Sequence, residues 1–512
     1  MWILAACTAA VMFIVHAVKN RPKTTRERRL NIQGDPMPTS DQTTATVDMG
    51  GERTGGRSSI IVTALLLASL GVAAAQTIVV AALPIFGRQL GISASSAAWL
   101  LTAFMLSSAI ATPIAGRIGD LFGHRTVMIA GLTTLLIGSV VAGVSDLAGS
   151  FPGLLVARVL QGLSGSVFPA AFGLARMSMP PSRLKGVIAA LSAMFGVGGA
   201  VGMVLAGPIT EALGTPWLFW ATAIIAAAAL LGTASLPGQE PHHGARLDLL
   251  GAALLSGTLV NLLLAISQGS TWGWTSAPVG ILLAAAVLLG ALFVAAERRS
   301  AAPLIDLRLV HAPQLLPTHL ATLVIAIGMF AAITLIPQFT QAPTATGYGF
   351  GDSPNQTGLL MVPVALFMII AAPLGTRLAA RTSSRTVFQI GALLAGISLA
   401  GLGFVHGERW AFYTAGAMLG LAYGLAFASL GALVVGAVKH HQTGAATGLN
   451  TILRTIGGAI GAQLAAAIIT GSAPADGPPT ESGFTAAFLT AACVAAAAAV
   501  AAAAISHKPT RS

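Results

Sequence analysis

Arg158 and Gln161 sit three residues apart in an apolar run from 151 to 175, and so share one helical face; Arg454 sits alone in another apolar run, from 449 to 471. A charge in the middle of a membrane-crossing helix costs about 2.5–3.5 kcal/mol even on a lenient insertion scale, so such a residue faces a partner or a polar path rather than lipid. The chemistry open to these groups is that of a charge facing a cavity or a partner inside an apolar barrier. A structural arginine bonded to backbone carbonyls is the competing reading for Arg158, and for Arg454 the two readings stand level. Weaker polar candidates within apolar runs are Gln76, Thr77, Asn261, Gln338 and Gln341, each as able to bond a neighbouring helix as to meet a ligand. No nucleotide loop, metal-ligand cluster or nucleophile constellation stands out, so the sequence reads as neither an enzyme nor a metalloprotein, with no catalytic residues and no cofactor. Its two cysteines, Cys7 and Cys493, lie far apart in apolar stretches and do not form a disulfide framework.

The elements that must carry these groups follow from composition. The 512 residues are 55% hydrophobic and 8% charged, against about a quarter charged in soluble domains. Apolar residues come in blocks of about twenty, the length a helix needs to cross a hydrocarbon core. Fourteen spans are predicted, near 59–85, 97–115, 126–145, 151–175, 186–207, 217–235, 248–267, 278–296, 316–338, 357–376, 386–405, 411–436, 449–471 and 483–505. Their dense Gly, Ala and Ser content suits close helix packing in lipid. The lipid bilayer is thus the solvent, and the fold class is an all-α membrane protein.

Net charge is +11, which raises the possibility of nucleic-acid binding. The placement of the 27 Lys and Arg answers it: with the segment before residue 59 on one side, only Arg88 and Arg409 fall on the other, and only Arg158 and Arg454 fall within spans. This is the positive-inside bias, and it places both termini in the cytoplasm with no nucleic-acid partner. Residues 1–18 are apolar, but no Lys or Arg precedes them, unlike a typical signal peptide. They read as a short extra span, an interfacial helix or upstream sequence outside the working protein, the last two being favoured. Residues 30–58, rich in Thr, Gly and Asp, are expected to be disordered.

An internal repeat divides the chain. PIAGRIGDLFGHRTVMIAG from Pro113 and PLGTRLAARTSSRTVFQIG from Pro373 lie 260 residues apart. Pro113, Arg117, Arg125, Thr126, Val127 and Gly131 meet Pro373, Arg377, Arg385, Thr386, Val387 and Gly391. Spans two and three then correspond to spans ten and eleven, so the halves share orientation, and spans seven and eight are inserted. The predicted organisation is an N-terminal segment over 1–58, a six-helix bundle over 59–236, two inserted helices over 237–297, a second six-helix bundle over 298–505 and a tail over 506–512. Two like bundles enclosing a path can expose it to one side and then the other by rocking.

On these residues the chain resembles the major facilitator superfamily, in its fourteen-helix drug:proton antiporter branch, over essentially all of 59–505. GRIGDLFGHR at Gly116–Arg125 is similar to the family's signature loop between helices two and three. The resemblance implies a conformational latch of Gly116, Arg117, Asp120, Gly123 and Arg125, the glycines permitting a tight turn and close approach. RVLQG, with Arg158, Gln161 and Gly162, resembles the fourth-helix motif, whose arginine is implicated in proton handling. GVGGAVGMVLAG resembles the fifth-helix antiporter motif, with Gly198, Gly202 and Gly207 in register and Met203 where proline is expected. The segment AERRSAAPLIDLRLV at 296–310 and IPQFTQ at Ile336–Gln341 extend the likeness, the latter placing Gln338 and Gln341 where they could face substrate.

In the first helix Ala75 stands at the usual aspartate position and Val80 at a common asparagine. All 16 Asp and Glu fall in loops or at span ends. Three alternatives for the coupling group remain: Glu211 or Asp352, a histidine such as His319, or no coupling at all. The resemblance implies a monomeric exporter of small hydrophobic or amphipathic compounds, drugs or secondary metabolites, in the plasma (inner) membrane, exchanging them for protons. An uncoupled facilitator or uptake porter, and a non-transporting sensor or partner subunit, are the alternatives. Arg158 without a buried acid favours neutral or anionic substrates over cations.

Overall fold

A computed structural model describes residues 53–80, 82–236, 248–300, 315–438, 443–473 and 478–505. The apolar stretch at 1–18, the tail at 506–512 and most of the segment 296–310 lie outside the described residues. Within them are fourteen helices long and apolar enough to span a bilayer. In chain order these are α1 (Ser59–Thr77), α2 (Ser96–Gly119), α3 (His124–Leu147), α4 (Phe151–Ser178), α5 (Gly186–Leu213), α6 (Pro216–Ala234) and α7 (Leu249–Gly269). They continue as α8 (Ala277–Arg299), α9 (Leu316–Gln341), α10 (Pro354–Arg381), α11 (Ser384–Phe404), α12 (Arg409–Gly436), α13 (Ala446–Gly471) and α14 (Glu481–Ala503).

Local chemistry sets where several of these helices begin. Ser93, Ser150, Asp248, Ser383 and Thr480 each cap a helix by accepting a backbone N–H three residues on. Ser353 and Gln356 form a reciprocal capping box at the start of α10, with Pro354 in its first turn. The first predicted span, 59–85, is shorter than expected. Its helix stops at Thr77, and a separate short helix, Leu83–Leu90, follows a turn. Pro84 lacks the N–H that would continue the first helix and instead occupies the opening turn of the second. α4 is interrupted in mid-span by a 3₁₀ turn over Leu163–Ser166, directly after Arg158 and Gln161.

The helices form two six-helix bundles, α1–α6 and α9–α14, with α7 and α8 added. In the first bundle α1 packs on α5 and α6, α3 on α4 and α6, and α2 on α4. Each pairing recurs eight helices later: α9 on α13 and α14, α11 on α12 and α14, and α10 on α12. The repeat extends to single hydrogen bonds. Arg125, at the start of α3, donates to the Thr233 and Ala234 carbonyls at the end of α6, and Arg385, at the start of α11, donates to the Ile505 carbonyl just past α14. Gly131 and Gly391 are both sites of close helix approach. A Cβ at Gly131 would strike Ser166 and Val167 of α4, and one at Gly391 would lie 2.6 Å from the Ala422 carbonyl of α12.

Both repeat loops lie at one end of the bundle, here termed the basic end. Arg125 meets the end of α6, Gly232 of α6 lies against Ala64 of α1, and Val62 of α1 lines one cavity together with Thr376 and Ser384 of the second loop. The bundles meet where α5 packs on α10 and α12, and where α2 and α4 pack on α13. α7 contacts α2 and α13 at that seam, while α8 packs chiefly on α7 and is the most exposed of the fourteen. An apolar surface this exposed is one that lipid covers.

Candidate functional site

The interface between the bundles is held differently at its two ends. At the far end, α5 and the start of α10 touch backbone to backbone: a Cβ on Gly207 would lie 2.5 Å from Asn355 Cα and 2.8 Å from its nitrogen. One turn on, exposed Glu211 accepts hydrogen bonds from Asn355 Nδ2 at 2.8 Å and Ser353 Oγ at 3.4 Å. At the basic end lies a cavity of about 1060 Å³, between the start of α5, where Val187 and Ile188 line it, and Thr376 of α10, Ser384 of α11 and Ser429 of α12. On its rim, Arg176 of α4 donates to the Val435 and Val438 carbonyls at the end of α12, both at 3.3 Å. The sequence reading singled out neither Arg176 nor Asn355, because nothing local marks a bond to a partner more than a hundred residues away.

Midway between the ends the interface is aromatic. Phe195 of α5 packs on Phe168 of α4, Phe330 of α9 and Phe427 of α12, with ring centroids 5.3, 6.5 and 6.4 Å away. Arg454 of α13 is buried against this cluster, its guanidinium carbon 4.6 Å from the ring centroids of both Phe195 and Phe427. Among the described residues its one hydrogen bond is a long 3.4 Å contact to Asn450 Oδ1, and Nε has no partner. Asn450 in turn donates to Thr322 of α9 at 2.6 Å. A water-sized cavity beside the cluster is lined by Gln76, Phe104, Phe168, Phe195, Thr451 and Thr455, among others.

Arg158 lies deeper within the first bundle. It is fully buried and donates from Nε to the Leu100 carbonyl at 2.8 Å, and from Nη1 to the Ala75 carbonyl at 2.9 Å and to Gln161 Oε1 at 2.8 Å. Gln161 passes the chain on to Ser139 Oγ at 2.8 Å, and Phe104 stacks on the guanidinium at 4.5 Å. Only Nη2 is without a partner. Ala75, at the position where the resemblance expects an aspartate, is fully buried and joins this network only through its backbone.

The remaining predicted residues separate. Thr77 donates to the Gly199 carbonyl at 2.8 Å, fastening α1 to α5. Gly198 and Gly202 lie at that crossing, where a Cβ would come within 2.6 Å of Ala73 Cβ and 2.7 Å of the Ala74 carbonyl respectively. The helix-five glycines thus serve two contacts, Gly198 and Gly202 toward α1 and Gly207 toward the other bundle. Met203 is buried, α5 runs unbroken past it, and Pro208 lies within the last turns. Asn261 donates to the Gly257 carbonyl of its own helix, Gln338 is exposed, and Gln341 is partly buried at the end of α9, so none of the three joins the central cluster. The helix of α2 continues to Phe122, so Gly123, at φ +92°, makes a one-residue turn into α3, while Gly116 is buried in α2 and Arg117 is partly buried beside it. His124 fills the space between Gly119 and Gly173, so that a Cβ at either would strike its ring. The position of the Asp120 side chain lies outside the described residues. Asp352 is buried and ion-paired with Arg409 at 2.6 Å, and His319 is buried near the start of α9.

The Major Facilitator Superfamily model matches residues 65–344 and 318–512. The chain belongs to the Major Facilitator Superfamily. This superfamily member is 29% identical over 451 residues to an uncharacterized MFS-type transporter of Mycobacterium tuberculosis, covering 83% of this chain and 63% of that protein. It is 28% identical over 356 residues to the tetracenomycin C resistance and export protein of Streptomyces glaucescens, covering 69% of this chain and 64% of that one. It is 33% identical over 339 residues to the puromycin resistance protein of Streptomyces alboniger, covering 65% and 64%. The matches thus span less than two thirds of these relatives' length. In structure it is similar to the human organic anion transporter MFSD10, with a TM-score of 0.60, 16% identity, and 87% of this chain and 99% of that one covered, which shows the shared fold.

Proposed function

We propose that this multi-pass membrane protein exports small hydrophobic or amphipathic compounds, drugs or secondary metabolites, by alternating access of its two bundles. It acts as a monomer in the plasma membrane with the basic end and both termini in the cytoplasm. The observation that carries this reading is the asymmetry of the bundle interface: α5 is seated on α10 at the far end, while a cavity of about 1060 Å³ stands at the basic end. That volume is on the scale of pockets that enclose drug-sized ligands. The distribution of Lys and Arg supports an inward-facing basic end, and the named export and resistance functions of the Streptomyces relatives support outward transport. In this reading the loop residues Gly116, Arg117, Asp120, Gly123 and Arg125 latch one conformation at the basic end.

Export against a gradient draws on inward proton flow. The specific observation favouring a second reading, an uncoupled porter of the same fold, is Ala75, which leaves the Arg158 network without a carboxylate at that position. Efflux of Nile red from preloaded vesicles under an imposed pH gradient separates the two. Gradient-driven efflux supports the antiporter, and flux indifferent to the gradient rejects it. Ala75→Asp in the same assay shows whether proton dependence can be gained at that site.

A further inference from the structure

The two buried arginines differ in how fully their donors are met. A guanidinium carries five N–H donors and stays charged in proteins, so burial is tolerable only where acceptors surround it. Arg158 has three bonds of 2.8–2.9 Å, two of them to main-chain carbonyls, and its neighbours hold it as a fixed part of the first bundle. Arg454 is 3% exposed, yet among the described residues its acceptors amount to one 3.4 Å contact, and Nε has none. No carboxylate among the described residues pairs with it. Its other contacts are the faces of two phenylalanines, one from each bundle.

We propose that Arg454 anchors an anionic aromatic substrate, an arene carboxylate or acidic phenol, whose ring enters the cluster of Phe168, Phe195, Phe330 and Phe427. The inference rests on the exporter reading and narrows it to a substrate class. An oxyanion supplies the acceptors that the guanidinium lacks, and a charge-assisted bond to it in a low-dielectric site is about twice as strong as a neutral one. A planar ring matches the tilted stacking already present among the four phenylalanines. An organic cation would meet like charge with no carboxylate nearby to offset it. Because Arg454 bridges Phe195 of one bundle and Phe427 of the other, a ligand that draws the guanidinium to itself also loosens a contact that the bundles must break to move apart. The adjoining cavity, lined by Thr451 and Thr455 on either side of Arg454 in sequence, has a volume of about 10 Å³ and holds no more than a water, so the ring enters as the bundles part and Phe195 separates from Phe427.

The test uses the full chain in nanodiscs and three probes sharing one ring system: 9-anthracenecarboxylate, neutral 9-anthracenemethanol and cationic 9-(aminomethyl)anthracene, titrated by fluorescence anisotropy. The carboxylate is expected to bind at least tenfold more tightly than the ammonium. Arg454→Gln is expected to abolish that preference, with Arg454→Lys restoring part of it. Ammonium binding as tight as carboxylate binding to the unaltered chain overturns the proposal, whether or not the variants fold. So does undiminished carboxylate binding by a folded Arg454→Gln. Nile red efflux without any carboxylate preference removes this inference alone, whereas absence of efflux and of binding by all three probes removes the exporter reading with it.

Discussion

Gly207→Ala tests how the far end closes. The added methyl would sit 2.5 Å from Asn355 Cα, 2.8 Å from its nitrogen and 2.9 Å from the Pro354 carbonyl, and all three are backbone atoms at the capped start of α10 that cannot turn aside. Overpacking of this kind costs about 1–3 kcal/mol. Gly207 touches the opposite bundle rather than its own, so the cost falls on the closed arrangement and can be relieved by rigid separation of α5 from α10. The ratio of far-end-open to far-end-closed molecules should then rise by about 5- to 150-fold. A single cysteine at Val204, one turn deeper and in contact with Gly358 of α10, reports this through its rate of labelling by a membrane-impermeant maleimide. Cys7 and Cys493 are first replaced by serine. The rate should increase by a factor in that range, with thermal stability of the purified protein little altered. An unchanged rate in a folded protein would refute the argument, and so would a large loss of stability without faster labelling, since it would make Gly207 a packing residue within a rigid body.

Other outcomes follow from the same contacts. Arg125→Ala and Arg385→Ala each remove bonds to carbonyls at the end of the matching last helix, so each should lower stability by about 1–3 kcal/mol, and the losses should add because the sites lie in different bundles. Denaturation of the single and double variants followed by intrinsic fluorescence measures this. Arg158→Leu strips the donor from buried Gln161 and from two carbonyls, and should destabilise the fold more than Arg454→Leu, which loses one long hydrogen bond; equal effects in a thermal shift assay would contradict the structural role given to Arg158. Asp120→Asn should reduce Nile red efflux while leaving membrane insertion intact, and unchanged efflux would remove the latch.

Much of the architecture was legible in the sequence because lipid imposes it. Hydropathy over twenty residues reveals spans without any knowledge of packing partners. The repeat was visible because Arg125 and Arg385 stand at offset positions, where each staples the third helix of its bundle to the sixth. Span ends were less legible where a turn depends on one residue, as at Pro84. Polar residues within spans were the hardest to interpret. Asn261 satisfies itself on the carbonyl one turn back, and Gln338 faces outward, outcomes that periodicity cannot separate from a substrate contact. The cross-bundle contacts of Arg176, Gly207, Glu211 and Arg454 join residues remote in sequence, so their significance emerged only once the helices were placed.

The central claim is that the bundles move as two bodies, opening one end as the other closes. Double electron–electron resonance between spin labels at Leu213 and Leu359 for the far end, and at Met177 and Thr382 for the basic end, measures it directly in nanodiscs. Gly207→Ala or bound substrate should lengthen the first distance while shortening the second. Distances that lengthen together, or that stay fixed during active Nile red efflux, would contradict alternating access in this protein.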